Sequence, residues 1–291
     1  MTGFANVTDL ELAGGPVRLY AAGSEEREPV LLLHGAMLDT VELLWHRVLP
    51  ALASTHRVYA IDLPKHGGSR PWHRTVDQEL CELIVDQLLD HLGIERVSLV
   101  GHSMGGGISL GFSLHHPERV ARAVFSAPGG IGARRPAQLA TWLALRTPGL
   151  LSASSRYLAN SATVIRRSMV RGLAAGAATE DFDRIVELAR AEAQAKARHR
   201  EKALDDWQIL AYGPFGMRLD YLPELGRLAV PSLWLRGSDD ALVGDREVRQ
   251  AAAAAPGGRS AVVSGAGHLL PLDRPVEFHR LIAEFLAEGQ P

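Results

Sequence analysis

Residues 96–116 read "RVSLVGHSMGGGISLGFSLHH". An apolar run from Val97 to Val100 meets a glycine-rich corner and then a stretch with apolar residues at helical spacing. Within the corner, Gly101-His102-Ser103-Met104-Gly105 has the form G-x-S-x-G. The spacing has a steric reason, because a serine held in a sharp strand-to-helix turn needs neighbours without side chains. A buried strand before it and a helix after it are the context that makes Ser103 a candidate nucleophile rather than a small residue in a bland Gly-Ser turn.

The same alternation continues outward. "PVLLLHG" (29–35), "HRVYAIDLP" (56–64), "ERVARAVFSAP" (118–128), "PSLWLRG" (231–237) and "SAVVSG" (260–265) each hold a short core of Val, Leu, Ile or Ala, the pattern of strands buried on both faces. Helical spacing is found over 41–53, 77–92, 104–116, 245–255 and 275–288, with Asp77 placed to cap the second of these. Residues 7–21 read as two short strands joined by a Gly-Gly-Pro turn. Together these predict an α/β fold, a mostly parallel central sheet with helices on both faces.

The pattern stops between about residues 131 and 225, where no buried-strand signal appears and Ala, Leu and Arg dominate. This segment is expected to be an all-helical insertion dividing a core of residues 1–130 and 226–291. Residues 131–172 carry seven arginines and no Asp or Glu, which reads first as a solvated face. Further on, Glu192 stands four residues before Lys196, the spacing of a supporting helical pair. Trp142, Tyr157, Trp207 and Tyr212 are available either to line an apolar pocket or to pack helices together.

Composition narrows the partners. With 46% hydrophobic and 22% charged residues, the 291-residue chain has the balance of a globular protein. A formal net charge of −2 gives no electrostatic case for nucleic acid, and a small molecule is the expected partner. No apolar run approaches the ~18 residues of a membrane span, and the N-terminus lacks the basic flank and apolar core of a signal peptide. Cys81 is the only cysteine, so no intrachain disulfide can form, and a reducing cytoplasm is the expected location. No metal-ligand spacing, P-loop or dinucleotide fingerprint occurs, so no metal or cofactor is expected.

A serine hydroxyl needs a base within hydrogen-bond reach and a third group to orient that base. Of the twelve histidines, His268 lies in the glycine-flanked loop "SGAGHLLPLDRP" (264–275), after the last strand and before the final helix. The orienting acid should fall between Ser103 and His268 in chain order. "WLRGSDDALVG" (234–244) offers both Asp239 and Asp240 just beyond a buried strand. Attack on a carbonyl also requires fixed N–H donors for the oxyanion. One is the Met104 amide at the start of the following helix. The other comes from the turn after "VLLLHG", from Ala36 or Met37, with His34 and Gly35 shaping that turn.

Taken together, "LLLHGA", "VYAIDLPKHGGS", "LVGHSMGG", "LWLRGSDDALV" and "SGAGHLLPLDRP" resemble the alpha/beta-hydrolase family. The resemblance covers nearly all of residues 15–128 and 226–288. It implies a catalytic Ser103-His268-Asp240 triad, an oxyanion hole formed by the Ala36 and Met104 amides, and a helical cap over 131–225. The implied activity is hydrolysis of a small-molecule ester through an acyl-enzyme. Two other readings are carbon-carbon bond hydrolysis of ring-cleavage products and ligand binding without catalysis. "FSAPGGIG" (125–132) is similar to a stretch of the carbon-carbon hydrolases, which usually have a longer glycine-rich oxyanion turn than "HGAML" and a Trp where Leu269 stands. Lys65 occupies a position commonly held by glycine in the family, and the substrate-binding residues are not assigned by the resemblance.

Overall fold

The computed structural model describes residues 6–288. The chain opens with a hairpin, β1 (Asn6–Leu12) and β2 (Gly15–Ala22). Its turn is Ala13-Gly14, both at positive φ (52° and 79°), as a two-residue hairpin turn demands. The turn expected at Gly-Gly-Pro is therefore shifted, and Gly15 and Pro16 belong to β2, paired with Leu12 and Glu11.

Then come β3 (Pro29–Leu33), the short helices α1 (Val41–Leu44) and α2 (Val48–Leu52), β4 (Arg57–Ile61), α3 (Gln78–Leu92), β5 (Val97–His102), α4 (Met104–His115) and β6 (Val120–Ser126). The single helix expected over 41–53 is thus two. Pro50 supplies the reason: inside a continuous helix it would lack its N–H and press on the carbonyl four residues back. Placed in the first turn of α2 it is tolerated. The break lets Trp45 turn fully inward against Phe278, ring centroids 6.1 Å apart. Asp77 caps α3 as expected, accepting from the Leu80 amide at 2.9 Å.

Five helices follow β6: α5 (Gln138–Arg146), α6 (Leu150–Asn160), α7 (Ala162–Gly172), α8 (Phe182–Arg198) and α9 (Asp206–Ala211). Among the described residues this segment forms no strand, only an isolated bridge between Tyr212 and Met217. The expected Glu192–Lys196 pair does not form. Both side chains are buried and turn to other partners, Glu192 to Arg70 and Lys196 to Asp205. The alternation then resumes with β7 (Ser232–Gly237), α10 (Asp245–Ala254), β8 (Gly258–Val263), α11 (Leu270–Asp273) and α12 (Pro275–Ala287).

The eight strands form one sheet in the order β1-β2-β4-β3-β5-β6-β7-β8. The first two pairings are antiparallel and the rest parallel. The central strands are sealed on both faces: Val30 to Leu33 and Val97, Leu99 and Val100 are at most 1% exposed. This matches their uninterrupted apolar runs. Parallel strands point their C-terminal ends the same way, and the loops after β3, β5, β7 and β8 therefore gather along one edge. Cys81 is buried in α3, consistent with packing. No helix among the described residues is long and apolar enough to cross a membrane.

Candidate active site

Ser103 occupies the corner between β5 and α4 with φ 52° and ψ −112°, a conformation that L-residues adopt only when their surroundings hold them there. The surrounding glycines explain how the corner closes. A Cβ on Gly101 would meet the Gly105 carbonyl oxygen at 2.3 Å, and one on Gly105 would meet the Leu33 oxygen at 2.3 Å. The Ser103 amide is tied to the Ser126 carbonyl at 2.9 Å.

His268 comes from the loop between β8 and α11. Its Nε2 lies 3.0 Å from Ser103 Oγ, and its Nδ1 lies 3.0 Å from Asp240 Oδ2. Asp240 follows β7. Its other oxygen accepts the amides of Leu242 and Val243 at 2.8 and 3.1 Å. Burial opposes its ionisation, but the bond to His268 and these amides outweigh burial and hold the carboxyl below the usual range. Asp239 is exposed, its amide bound to the Ala266 carbonyl. Between the two aspartates left open by residue type, only Asp240 reaches His268.

The remaining sequence-predicted residues meet at the same corner. The turn after β3 is shaped by His34, whose Nε2 accepts the Leu63 amide at 2.9 Å while its Nδ1 contacts the Gly35 carbonyl at 2.7 Å. Burial drives its basicity well below the ordinary value, so the ring is neutral and its acceptor nitrogen is already occupied. Among the described residues, the amides of Ala36 and Met104 make no hydrogen bond within the protein. The Met37 amide is taken by Asp205 Oδ2 at 2.6 Å. Of these two amides in the turn, that of Ala36 is thus the unoccupied one.

Asp205 is the residue that sequence reasoning passed over. It sits at the start of α9, 8% exposed, with Lys196 on one oxygen and His66 Nε2 3.3 Å from the other. Burial opposes its charge, yet the Lys196 cation and the His66 ring beside it outweigh burial and hold it well below the usual carboxylate range. Through it the helical segment grips the turn that carries Ala36. Lys65 and Arg70 tie the same segment to the loop after β4. Lys65 Nζ binds Asp206 at 2.6 Å, and Arg70 binds Glu192 and Glu201. Lys65 has φ 66°, the left-handed region that favours glycine. The ion pair to Asp206 is what this chain holds at that position in exchange for the strain.

A cavity of about 220 Å³ opens at Ser103 and Met104 and is lined also by Gly129, Leu145, Trp207 and Tyr212. Two of the four aromatics singled out in the sequence therefore reach it. Trp142 instead stacks with Arg146, and Tyr157 is 63% exposed. Of the seven arginines, only Arg135 borders the cavity, and it is bound to Glu247 at 2.8 Å. Among the described residues no cluster of His, Cys, Asp or Glu could hold a metal ion.

A family model described as alpha/beta hydrolase fold matches residues 28–275. The chain is 41% identical, over 123 residues, to the dihydrolipoyllysine-residue acetyltransferase component of an acetoin cleaving system from Pseudomonas putida. That match covers 42% of this chain and 32% of that protein, so the chain spans only about a third of that relative. It is 27% identical to a pimeloyl-[acyl-carrier protein] methyl ester esterase from Edwardsiella ictaluri, over 93% of this chain and 97% of the esterase. It is 28% identical to a 2-hydroxy-6-oxononadienedioate/2-hydroxy-6-oxononatrienedioate hydrolase from Cupriavidus pinatubonensis, over 89% of this chain and 86% of that enzyme.

Proposed function

Because the chain belongs to the alpha/beta hydrolase fold family, we propose that it is a serine hydrolase that cleaves a small-molecule carboxylic ester. The observation that carries the reading is the hydrogen-bonded line Ser103–His268–Asp240. His268 takes the hydroxyl proton as Ser103 Oγ attacks the ester carbonyl. Asp240 accepts from Nδ1, which leaves Nε2 as the base, and stabilises the imidazolium. The Ala36 and Met104 amides receive the oxyanion, each worth roughly 3 kcal/mol at the transition state. His268 returns the proton to the departing alkoxide, and water then releases the acyl group by the reverse sequence.

Residues 131–225 act in this reading as a cap that closes over Ser103 and selects substrate. The cavity walls from Leu145, Trp207 and Tyr212 suit an apolar group on the acyl or alcohol side. Similarity to the pimeloyl methyl ester esterase supports ester chemistry. Carbon-carbon hydrolysis is the second reading, favoured by similarity to the oxononadienedioate hydrolase and by Gly129 and Gly130 of "FSAPGGIG", which line the cavity. The short "HGAML" turn and Leu269 favour the ester.

The test is a panel of short and long p-nitrophenyl esters, lactones and a vinylogous diketone, run with wild type and Ser103→Ala. Ester turnover lost in Ser103→Ala is the expected result. Cleavage of the diketone with no ester turnover would transfer the conclusion to the second reading.

A further inference from the structure

Asp39 ends the turn that begins at Ala36, its amide donating to the Ala36 carbonyl at 3.3 Å. The side chain folds back beneath Gly35. A Cβ placed on Gly35 would lie 2.3 Å from Asp39 Oδ2, 3.2 Å from His102 Cδ2 and 3.3 Å from Ser103 Cβ. One glycine therefore separates a buried carboxyl, 8% exposed, from the serine and from the oxyanion turn. Glycine is required at 35 because the carboxyl fills the space a side chain would occupy.

The groups facing Asp39 come from several elements. The Gly35 amide favours its ionised form, as would a proton on the His268 or His66 ring, while Asp205 opposes it. His34 and His102, the other two rings at this corner, are held neutral by burial. Among the described residues no side chain donates a hydrogen bond to the Asp39 carboxyl. Asp205 and Asp240, by contrast, each hold two donors or a full cation. Burial without such partners pushes Asp39 up to about 7.

We propose that Asp39 is an electrostatic control residue of this site, a carboxyl that must carry its proton for the Ala36 and Met104 amides to receive an oxyanion. No proton leaves Asp39 during the reaction. As a neutral acid it leaves the donors of the turn uncompensated. As a carboxylate it sets a negative charge behind Gly35 that repels the developing oxyanion more than it favours the imidazolium forming on His268, in a setting where water screens little. The site then holds two carboxyls with opposite tasks: Asp240 stays ionised beside His268, and Asp39 stays neutral beside the oxyanion turn. The inference rests on Ser103 acting as nucleophile.

The experiment measures the rate of Ser103 labelling by a fluorophosphonate probe from pH 5.5 to 9.5, for wild type, Asp39→Asn and Asp39→Ala. Circular dichroism checks folding at each pH. Labelling needs no knowledge of the natural substrate and builds the same negative oxygen in the hole. The wild-type rate should fall about tenfold between roughly pH 7 and pH 9, the scale of one unscreened charge close to a forming oxyanion. Both variants should keep their rate over that range, and either one suffices if the other fails to fold. A variant with the wild-type alkaline fall, or a wild type with none, overturns the role of Asp39 while the nucleophile reading stands. No labelling of folded wild type at any pH overturns both.

Discussion

The Asp205 carboxylate accepts the Met37 amide at 2.6 Å across 168 residues of chain. It thereby fixes the turn that carries Ala36, the residue proposed to supply one of the two oxyanion donors. Helix α8 reinforces the contact through Lys196. The segment between β6 and β7 is thus tied to the turn that carries Ala36 and also lines the cavity at Ser103.

The first prediction follows from that contact. Removing Asp205 alone strands Lys196 as a buried charge and costs about 3 to 5 kcal/mol of stability. The informative variant is therefore the pair Asp205→Asn with Lys196→Met, which removes the charges together. It should lower kcat by about 10- to 100-fold with KM changed less than about threefold, as loosening a donor needed only in the transition state does. Steady-state kinetics on the best ester checks this, and an equal rise in KM at unchanged kcat would assign Asp205 to substrate binding.

Asp239 and Asp240 are adjacent and chemically identical, yet only Asp240 contacts His268. Asp240→Asn should reduce kcat by about 10⁴, the order expected when the histidine is held in the wrong tautomer. Asp239→Asn should change kcat by less than about twofold, as exposed substitutions do. A reversed order would move the acid to Asp239.

Gly105→Ala tests the packing that makes the corner. Its new Cβ would fall 2.3 Å from the Leu33 oxygen and 2.5 Å from the His34 oxygen, both backbone atoms at the root of the oxyanion turn. The expected result is a loss of roughly 2 kcal/mol or more in urea unfolding, with kcat falling well beyond what the lost stability explains. Gly226→Ala, where nothing lies within 4 Å of the added carbon, is the control.

Stability should depend on pH in two opposed ways. His34 and His102 are buried and held well below the ordinary histidine value of 6.5. The unfolded chain takes up their protons first, so their contribution is complete above pH 6.5 and is lost as pH falls below it. Asp39 has the opposite sign. Its native value, about 7 against 3.8, means the native state keeps a proton that the unfolded chain releases. Its contribution is complete below pH 3.8 and is lost as pH rises to about 7. Urea unfolding of wild type against Asp39→Asn should show the variant gaining relative stability from pH 5 to pH 7.5, and His102→Gln should flatten the acid side.

The parts of this molecule legible in the sequence are those whose cause is local. Ser103 announces itself because its strained corner demands Gly101 and Gly105 nearby in the chain, and β3 and β5 because burial on both faces leaves only apolar residues. His268 is readable from its glycine-flanked loop after the last strand. The split between α1 and α2 is legible in Pro50, which cannot sit beyond the first turn of a helix, although the apolar spacing over 41–53 by itself reads as one helix. Glu192 and Lys196 misled because spacing favours their pairing, whereas Arg70 and Asp205 reach them from elsewhere in the chain. Asp39 and Asp205 carry no sequence signal of their own. An aspartate in a turn or at a helix start is ordinary, and only the fold shows that one is held beneath Gly35 and the other on the Met37 amide.

Every role proposed for this site depends on Ser103 being a nucleophile activated by His268. The most direct test is intact-protein mass spectrometry of the folded chain after exposure to a fluorophosphonate, followed by peptide mapping. One adduct per chain is expected, on the peptide carrying Ser103, absent in Ser103→Ala and formed far more slowly in His268→Ala. Folded wild-type protein that gains no mass, or that carries the adduct on another residue such as the neighbouring Ser126, would contradict it.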